Sequence, residues 1–171
     1  GGVKGAEAGS LVLFIGGPVP WFEEAKPVLE AVSRSQGHFG DAGQGHVAKI
    51  INNLICIGNL QVFSEALPLA VKLGLESQNI FDTLLAGTAC SEMLKVYGPQ
   101  VLAGDFAPRF KLWHAHKDLK LADTVSKKYL KKPLPILGAL LSNFRESEKM
   151  GFANENLSSV IKVFEKKLKV K

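Results

Sequence analysis

The chain has 171 residues and a net charge of +5; 46% of its residues are hydrophobic and 22% are charged. This composition is typical of a folded globular protein with a sizeable core, and it excludes a disordered chain. No zinc-ligand spacing, aromatic RNA-binding pattern or basic leucine zipper occurs, so the sequence predicts no nucleic-acid partner.

The basic residues cluster in two short runs, "SKKYLKKP" at 126–133 and "IKVFEKKLKVK" at 161–171. We interpret them as solvated helix faces, although a basic face can also bind phosphate. Cys56 and Cys90 form neither a metal-binding spacing nor a disulfide framework, which favours the reducing cytoplasm. No apolar run reaches the ~20 residues of a membrane span, so we expect no membrane partner.

The first quarter of the chain has the character of an α/β structure. Residues 1–10 are rich in glycine and are predicted to form a loop, and "SLVLFIGG" at 10–17 predicts a buried strand that ends at a glycine pair. Residues 18–37 predict two short helical pieces, because Pro27 interrupts the pattern. Residues 38–45 are predicted to be a loop.

From residue 45 onward, apolar residues recur at helical spacing and no hairpin signal appears. The sequence therefore predicts a mainly α fold, with an all-α domain at 43–171 behind a short α/β segment at 1–42. The predicted helices are 45–73 before Gly74, 77–88 with Ser77 as N-cap and Gly87 near its end, one or two short helices in 90–106 broken at Gly98–Pro99, 110–130, 133–151 and 154–168.

The helix predicted to start near Gly45 carries Lys49, Asn52 and Asn53 on one face, because residues three and four apart are neighbours on a helix. Gly45 lies one turn earlier on that face and lets another group approach the backbone. A lysine there can donate a proton to an alkoxide or accept one from a hydroxyl, and an asparagine can hold the same oxygen. Alternatively, Lys49 extends to solvent and the asparagines satisfy loop backbone.

Three motifs, in this order, resemble the C-terminal half of the β-hydroxyacid dehydrogenase family. That family includes 3-hydroxyisobutyrate dehydrogenase, tartronate semialdehyde reductase and the succinic semialdehyde–glyoxylate reductases. "GGVKGAEAGSLVLFIGG" resembles its substrate-binding loop and following strand, "GQGHVAKIINN" its G-x-G-x-x-x-K-x-x-N-N motif, and "FKLWHAHKDLKLA" its lysine–aspartate motif. The resemblance runs nearly from end to end of the chain.

The resemblance implies a role for each matching residue. Lys49 matches the general acid/base and Asn53 the residue that positions substrate. Gly1 and Gly2 match backbone N–H donors to the substrate carboxylate. It also implies a small hydroxyacid or semialdehyde substrate.

The lysine–aspartate motif implies that Lys117 lies near the nicotinamide of NAD or NADP, with Asp118 supporting the motif. No metal is implied. The family assembles through its helical domain, so the resemblance also implies a homodimer or homotetramer.

Two departures limit the expected activity. The serine that the family has before its glycine pair is absent, and no G-x-G-x-x-G follows a strand. Residues 1–42 are therefore interpreted as the end of a Rossmann domain, and this chain alone is predicted to be inactive. The alternative is a non-catalytic all-α oligomerisation module, in which a lysine at position 49 has no purpose.

Overall fold

A computed structural model describes residues 2–170 of the chain. Two compact units are present, one extending to Asn52 and the other starting at Asn53, so that the division falls inside one long helix.

The first unit is a β-α-β arrangement. Strands β1 (Leu11–Ile15) and β2 (Ser33–His38) are parallel, with Phe14 opposite Gly37, and helix α2 (Val19–Val32) makes the crossover between them. Helix α1 (Gly2–Glu7) precedes β1, and the first turns of α3 (Gln44–Lys72) follow β2.

Two elements of this unit differ from the sequence prediction. Residues 2–7 form α1 rather than a loop, because backbone N–H groups of Gly9 and Ser10 close onto the carbonyls of Ala6 and Gly5. Strand β2 was not predicted, because "SRSQGH" has no apolar alternation. Its pairing with β1 determines its conformation, not its own propensity.

Pro27 does not divide α2, so the prediction of two pieces is wrong. A proline inside a helix removes the hydrogen bond to the carbonyl four residues earlier. That carbonyl belongs to Glu23, which is exposed, and water can satisfy it there.

The second unit is helical, which confirms the expectation for the chain from residue 45 onward. Within residues 53–170, the extended structure is limited to one isolated bridge between Lys111 and Asn156. Besides the rest of α3, this unit contains α4 (Ser77–Ala86), α5 (Glu92–Leu102), α6 (Leu112–Leu130), α7 (Pro135–Lys149), a 3₁₀ helix (Leu157–Val160) and α8 (Ile161–Leu168). Its core includes Ile57, Leu60, Leu112, Leu119, Leu137, Leu140, Phe144 and Ile161.

Two helix details correct the prediction. The N-cap of α4 is Glu76 rather than Ser77: its carboxylate accepts from the N–H groups of Gln78 and Asn79, which lowers the pKa of Glu76. Helix α5 is continuous through Gly98–Pro99, so the predicted break there is wrong; Gly98 instead leaves room for the ring of Phe81.

Among the described residues, α3 is long and apolar enough to cross a membrane by length and composition alone. By that measure, the expectation that no apolar stretch reaches this length is wrong. A core helix of a soluble protein meets the same criteria. Since α3 buries Ile57, Leu60 and Leu67 in the second unit, we describe it as a core helix.

A fully buried asparagine fixes the start of α6. The side chain of Asn156 accepts from the N–H of Phe110 at 3.2 Å and donates to Gln100 Oε1 at 2.8 Å and Ser158 Oγ at 3.1 Å. The carbonyl of the adjacent Glu155 accepts from the N–H of Leu112, the first residue of α6. The direction in which α6 leaves this point therefore depends on Asn156.

The start of α3 lies directly on the end of β1. A side chain at Gly45 would overlap the carbonyl of Phe14, so only glycine allows this approach. The predicted close approach at Gly45 is therefore confirmed, and the group that approaches is a β1 carbonyl. This contact sets where Lys49, one turn later, leaves the helix.

We expect Gly45→Ala to lower the free energy of unfolding by about 1–3 kcal/mol, because a methyl group has no space beside the Phe14 carbonyl. Gly58→Ala is the matched control in the same helix, because nothing lies within 4 Å of its added Cβ. It should raise stability by about 0.5–1 kcal/mol through helix propensity. Urea unfolding measures both, and equal changes in the two variants would contradict the close approach.

Asn156→Ala should destabilise the chain by about 2–3 kcal/mol, because it removes three hydrogen bonds of a buried amide, one to buried Ser158 and two to the part-buried Phe110 and Gln100. Asn59 on α3 is exposed, and Asn59→Ala should change stability by no more than about 0.5 kcal/mol. The measurement is thermal unfolding followed by circular dichroism. A small effect at Asn156 would show that it does not fix the start of α6.

Candidate active site

Lys49 leaves the second turn of α3 with an exposed side chain. Its Nζ lies 5.6 Å from the centroid of the Phe14 ring, which β1 supplies. This is within the range of a cation–π interaction. A cation thus stands at the surface with an aromatic ring on one side.

A second cluster joins α3 to α6. Asn53 Nδ2 donates to Asp118 Oδ2 at 2.8 Å, and Lys117 Nζ lies 3.2 Å from Asp118 Oδ1. Asp118 is mostly buried, with 15% of its side chain exposed, whereas 57% of the Lys117 side chain is exposed. The carboxylate therefore holds an amide with one oxygen and an ammonium with the other.

The lysine–asparagine motif and the lysine–aspartate motif thus meet in space, although the hydrogen bond between them spans 65 residues. Lys49 lies one turn before Asn53 on the same helix, so both project from one face of α3. The predicted roles of these residues remain predictions; the Asn53–Asp118 hydrogen bond connects the two motifs within the second unit.

The two glycines predicted to bind a carboxylate lie at the beginning of the chain. Gly1 lies outside the described residues, and Gly2 is the exposed first residue of α1. Their proposed contact with substrate stays a prediction.

The sequence analysis did not identify Phe14 as a residue of the candidate site. The strand pattern located β1 correctly, but it gave no sign that the ring at position 14 lies beside Lys49. That proximity comes from the approach at Gly45, which no local pattern encodes.

The turn after β1 is poorly suited to binding the pyrophosphate of a dinucleotide. Pyrophosphate binding needs free backbone N–H groups at a strand-to-helix turn. The turn after β1 leads into α2 through Pro18 and Pro20, neither of which has an N–H to offer. The exposed ammonium groups of Lys49 and Lys117 instead suit carbonyl, carboxylate or other electron-rich oxygens.

Across residues 2–170, no group of three His, Cys, Asp or Glu side chains is arranged to hold a metal ion.

Two family models match the chain. Residues 43–164 match the NAD-binding family of NADP-dependent 3-hydroxyisobutyrate dehydrogenase, and residues 1–56 match the NAD-binding domain of 6-phosphogluconate dehydrogenase. NAD or NADP is thus the cofactor class of the family.

Curated relatives agree. The chain is 36% identical over 166 residues to 2-(hydroxymethyl)glutarate dehydrogenase of Eubacterium barkeri, covering 96% of this chain and 55% of the relative. It is 31% identical over 161 residues to glyoxylate/succinic semialdehyde reductase 1 of Arabidopsis thaliana, covering 94% and 55% respectively.

The fold agrees as well. The crystal structure of 3-hydroxyisobutyrate dehydrogenase from Salmonella typhimurium matches with a TM-score of 0.88 and 30% identity, covering 96% of this chain and 57% of that one. The chain spans about half the length of the relatives it matches. On the family match over residues 43–164 and these relatives, the chain belongs to the β-hydroxyacid dehydrogenase family and corresponds to its C-terminal portion.

Proposed function

We propose that this chain supplies the lysine-bearing half of an NAD(P)-dependent dehydrogenase or reductase. Its substrate class is a small β-hydroxyacid or semialdehyde, such as 3-hydroxyisobutyrate or succinic semialdehyde, and Lys49 is the general acid/base. The observation that carries this proposal is that Asp118 pairs with both Asn53 and Lys117, so that the two motifs of the second unit meet.

The roles follow from what each group can do. Asp118 accepts from Asn53 Nδ2, and this fixes the orientation of the amide. A fixed amide can position a substrate oxygen with little loss of side-chain freedom on binding. Asp118 also restrains the Lys117 ammonium, which is exposed enough to meet an anionic or carbonyl group of a bound ligand.

Lys49 is the group that moves a proton. During reduction its ammonium donates a proton to the oxygen of the carbonyl, and during oxidation its amine accepts the hydroxyl proton. The nicotinamide supplies or accepts the hydride when it is bound. The lysine compensates the negative charge that develops on the oxygen. This interaction is stronger in the transition state than with bound substrate, so it raises kcat rather than the affinity for substrate.

The second candidate function is assembly, and an exposed apolar stripe on α3 favours it. Ile55, Val62 and Leu69 are between 49% and 67% exposed, and they recur at intervals of seven residues. This spacing places them along one side of the helix, as in a helix–helix seam. We propose that the stripe pairs with a second copy of the chain, in a homodimer or homotetramer.

Lys49→Ala tests the catalytic role in an enzyme that carries this chain behind a dinucleotide-binding portion. We expect kcat to fall by about 10²–10⁴-fold, because a proton donor of the transition state is lost. Asn53→Ala should cost less, since the amide positions an oxygen without transferring a proton. The measurement is steady-state reduction of a panel of semialdehydes with NADH and NADPH.

Lys72→Ala is the control for these variants, because Lys72 is an exposed lysine at the other end of the same helix. Its kcat should match that of the unmodified enzyme. If Lys49→Ala also kept a near-normal kcat on the best substrate, the acid/base assignment would be wrong.

Sedimentation tests the assembly. The unmodified chain should self-associate at micromolar concentration and bury an interface of about 1,200 Å² or more. A double variant, Ile55→Glu with Val62→Glu, should sediment as a monomer, because two carboxylates cannot be desolvated in an apolar seam. Val28 on α2 is 69% exposed, and Val28→Glu should leave the assembly intact. A monomeric unmodified chain would exclude the stripe as an interface.

A further inference from the structure

Two phenylalanines of the first unit form a stack beside Lys49. The rings of Phe14 and Phe39 have centroids 5.7 Å apart and planes inclined by 20°. Lys49 Nζ lies 5.6 Å from the Phe14 centroid. Phe39 is 46% exposed and Phe14 is half-buried, so the stack reaches the surface at the position of the lysine.

The pairing of the strands builds this stack. Phe14 on β1 stands opposite Gly37 on β2, and Phe39 follows directly after the end of β2. A Cβ on Gly37 would lie 2.7 Å from the Phe39 ring. The absence of a side chain at Gly37 therefore gives the Phe39 ring the space from which it stacks on Phe14.

The contact between Gly45 and Phe14 positions both the lysine and the ring. Gly45 brings the start of α3 onto the carbonyl of Phe14, and Lys49 follows one helical turn later. The helix that carries the ammonium is thus fixed against the residue that carries the ring. An exposed lysine side chain usually samples many rotamers. The attraction of its ammonium to the Phe14 ring reduces the number that Lys49 samples.

We propose that Phe14, supported by Phe39, is a positioning residue for Lys49. The stack attracts the ammonium, restricts its approach to one side, and directs the proton-donating nitrogen toward the oxygen of a bound substrate. This inference rests on the proposed acid/base role of Lys49 and extends it to two residues that have no acid or base of their own.

The first part of the test does not depend on activity. With isotopically labelled lysine, the ε-methylene resonances of Lys49 are assigned by their loss in Lys49→Arg. The face of the aromatic ring should shift these resonances upfield. Phe14→Leu should remove the shift, Phe14→Tyr should retain it because the ring remains, and Phe39→Leu should reduce it.

The chain offers a matched control for this measurement. Lys167 Nζ lies 5.4 Å from the Phe164 ring centroid in the second unit. Phe164→Leu should therefore move the Lys167 resonances and leave those of Lys49 unchanged. Thermal unfolding of each variant identifies any that are misfolded, and Phe39→Leu then serves in place of Phe14→Leu.

The second part measures kinetics in the enzyme that includes this chain. Phe14→Leu should lower kcat by about two- to fivefold with little change in KM, as expected from losing one exposed cation–π contact. Phe14→Tyr should restore kcat. The effect should disappear in a Lys49→Ala background, because the ring acts only through the lysine.

The outcomes separate this inference from the proposed function. Lys49 resonances that do not move in Phe14→Leu or Phe39→Leu would overturn the stack as a positioning device, and so would moved resonances with unchanged kcat. If Lys49→Ala itself keeps a normal kcat, the acid/base role fails, while the resonance shift can still be observed.

Discussion

A 29-residue helix that is apolar on nearly every side has to be covered, and this constraint shapes most of the chain. One side of α3 is covered by the second unit, where Ile57, Leu60 and Leu67 are buried. Another side leaves Ile55, Val62 and Leu69 exposed in a line. Burial of apolar area is the main favourable contribution to folding, and it accounts for the side of α3 that packs inside the second unit.

Asn53 and Lys49 are polar residues on an apolar helix, and each lies where its side chain has an interaction partner. The amide of Asn53 is paired with Asp118, and the Asp118 carboxylate is shared with Lys117. Lys49 stands nearer the helix start, where its ammonium reaches the surface beside Phe14. The exposed cation of Lys49 thus lies near the start of the most apolar helix of the chain.

Elements with strong periodicity could be predicted from the sequence, and those that depend on distant pairing could not. Helices α3, α6 and α7 follow directly from their apolar spacing, and β1 from its β-branched and aromatic run. Strand β2 has no such pattern, because hydrogen bonds to β1 make it a strand. Pro27 and Gly98 are residues that usually interrupt helices, but both lie inside continuous helices here. Pro27 leaves the carbonyl of exposed Glu23 without a helical partner, and Gly98 packs against the ring of Phe81. In the candidate site, helix spacing placed Lys49 and Asn53 on one helix face and the family resemblance implied their roles, whereas neither indicated that the ring of Phe14 lies beside Lys49.

The Asn53–Asp118 hydrogen bond also has a consequence for how the chain folds. Helix α3 can form from local contacts, but this bond closes a loop of 65 residues and needs α6 in place. Contacts of such long sequence separation carry a large closure entropy and generally slow folding. A partly folded chain with α3 alone would thus display Lys49 on a helix whose asparagine is not yet oriented. The chemical character of that helix face is therefore acquired late, when the two motifs meet.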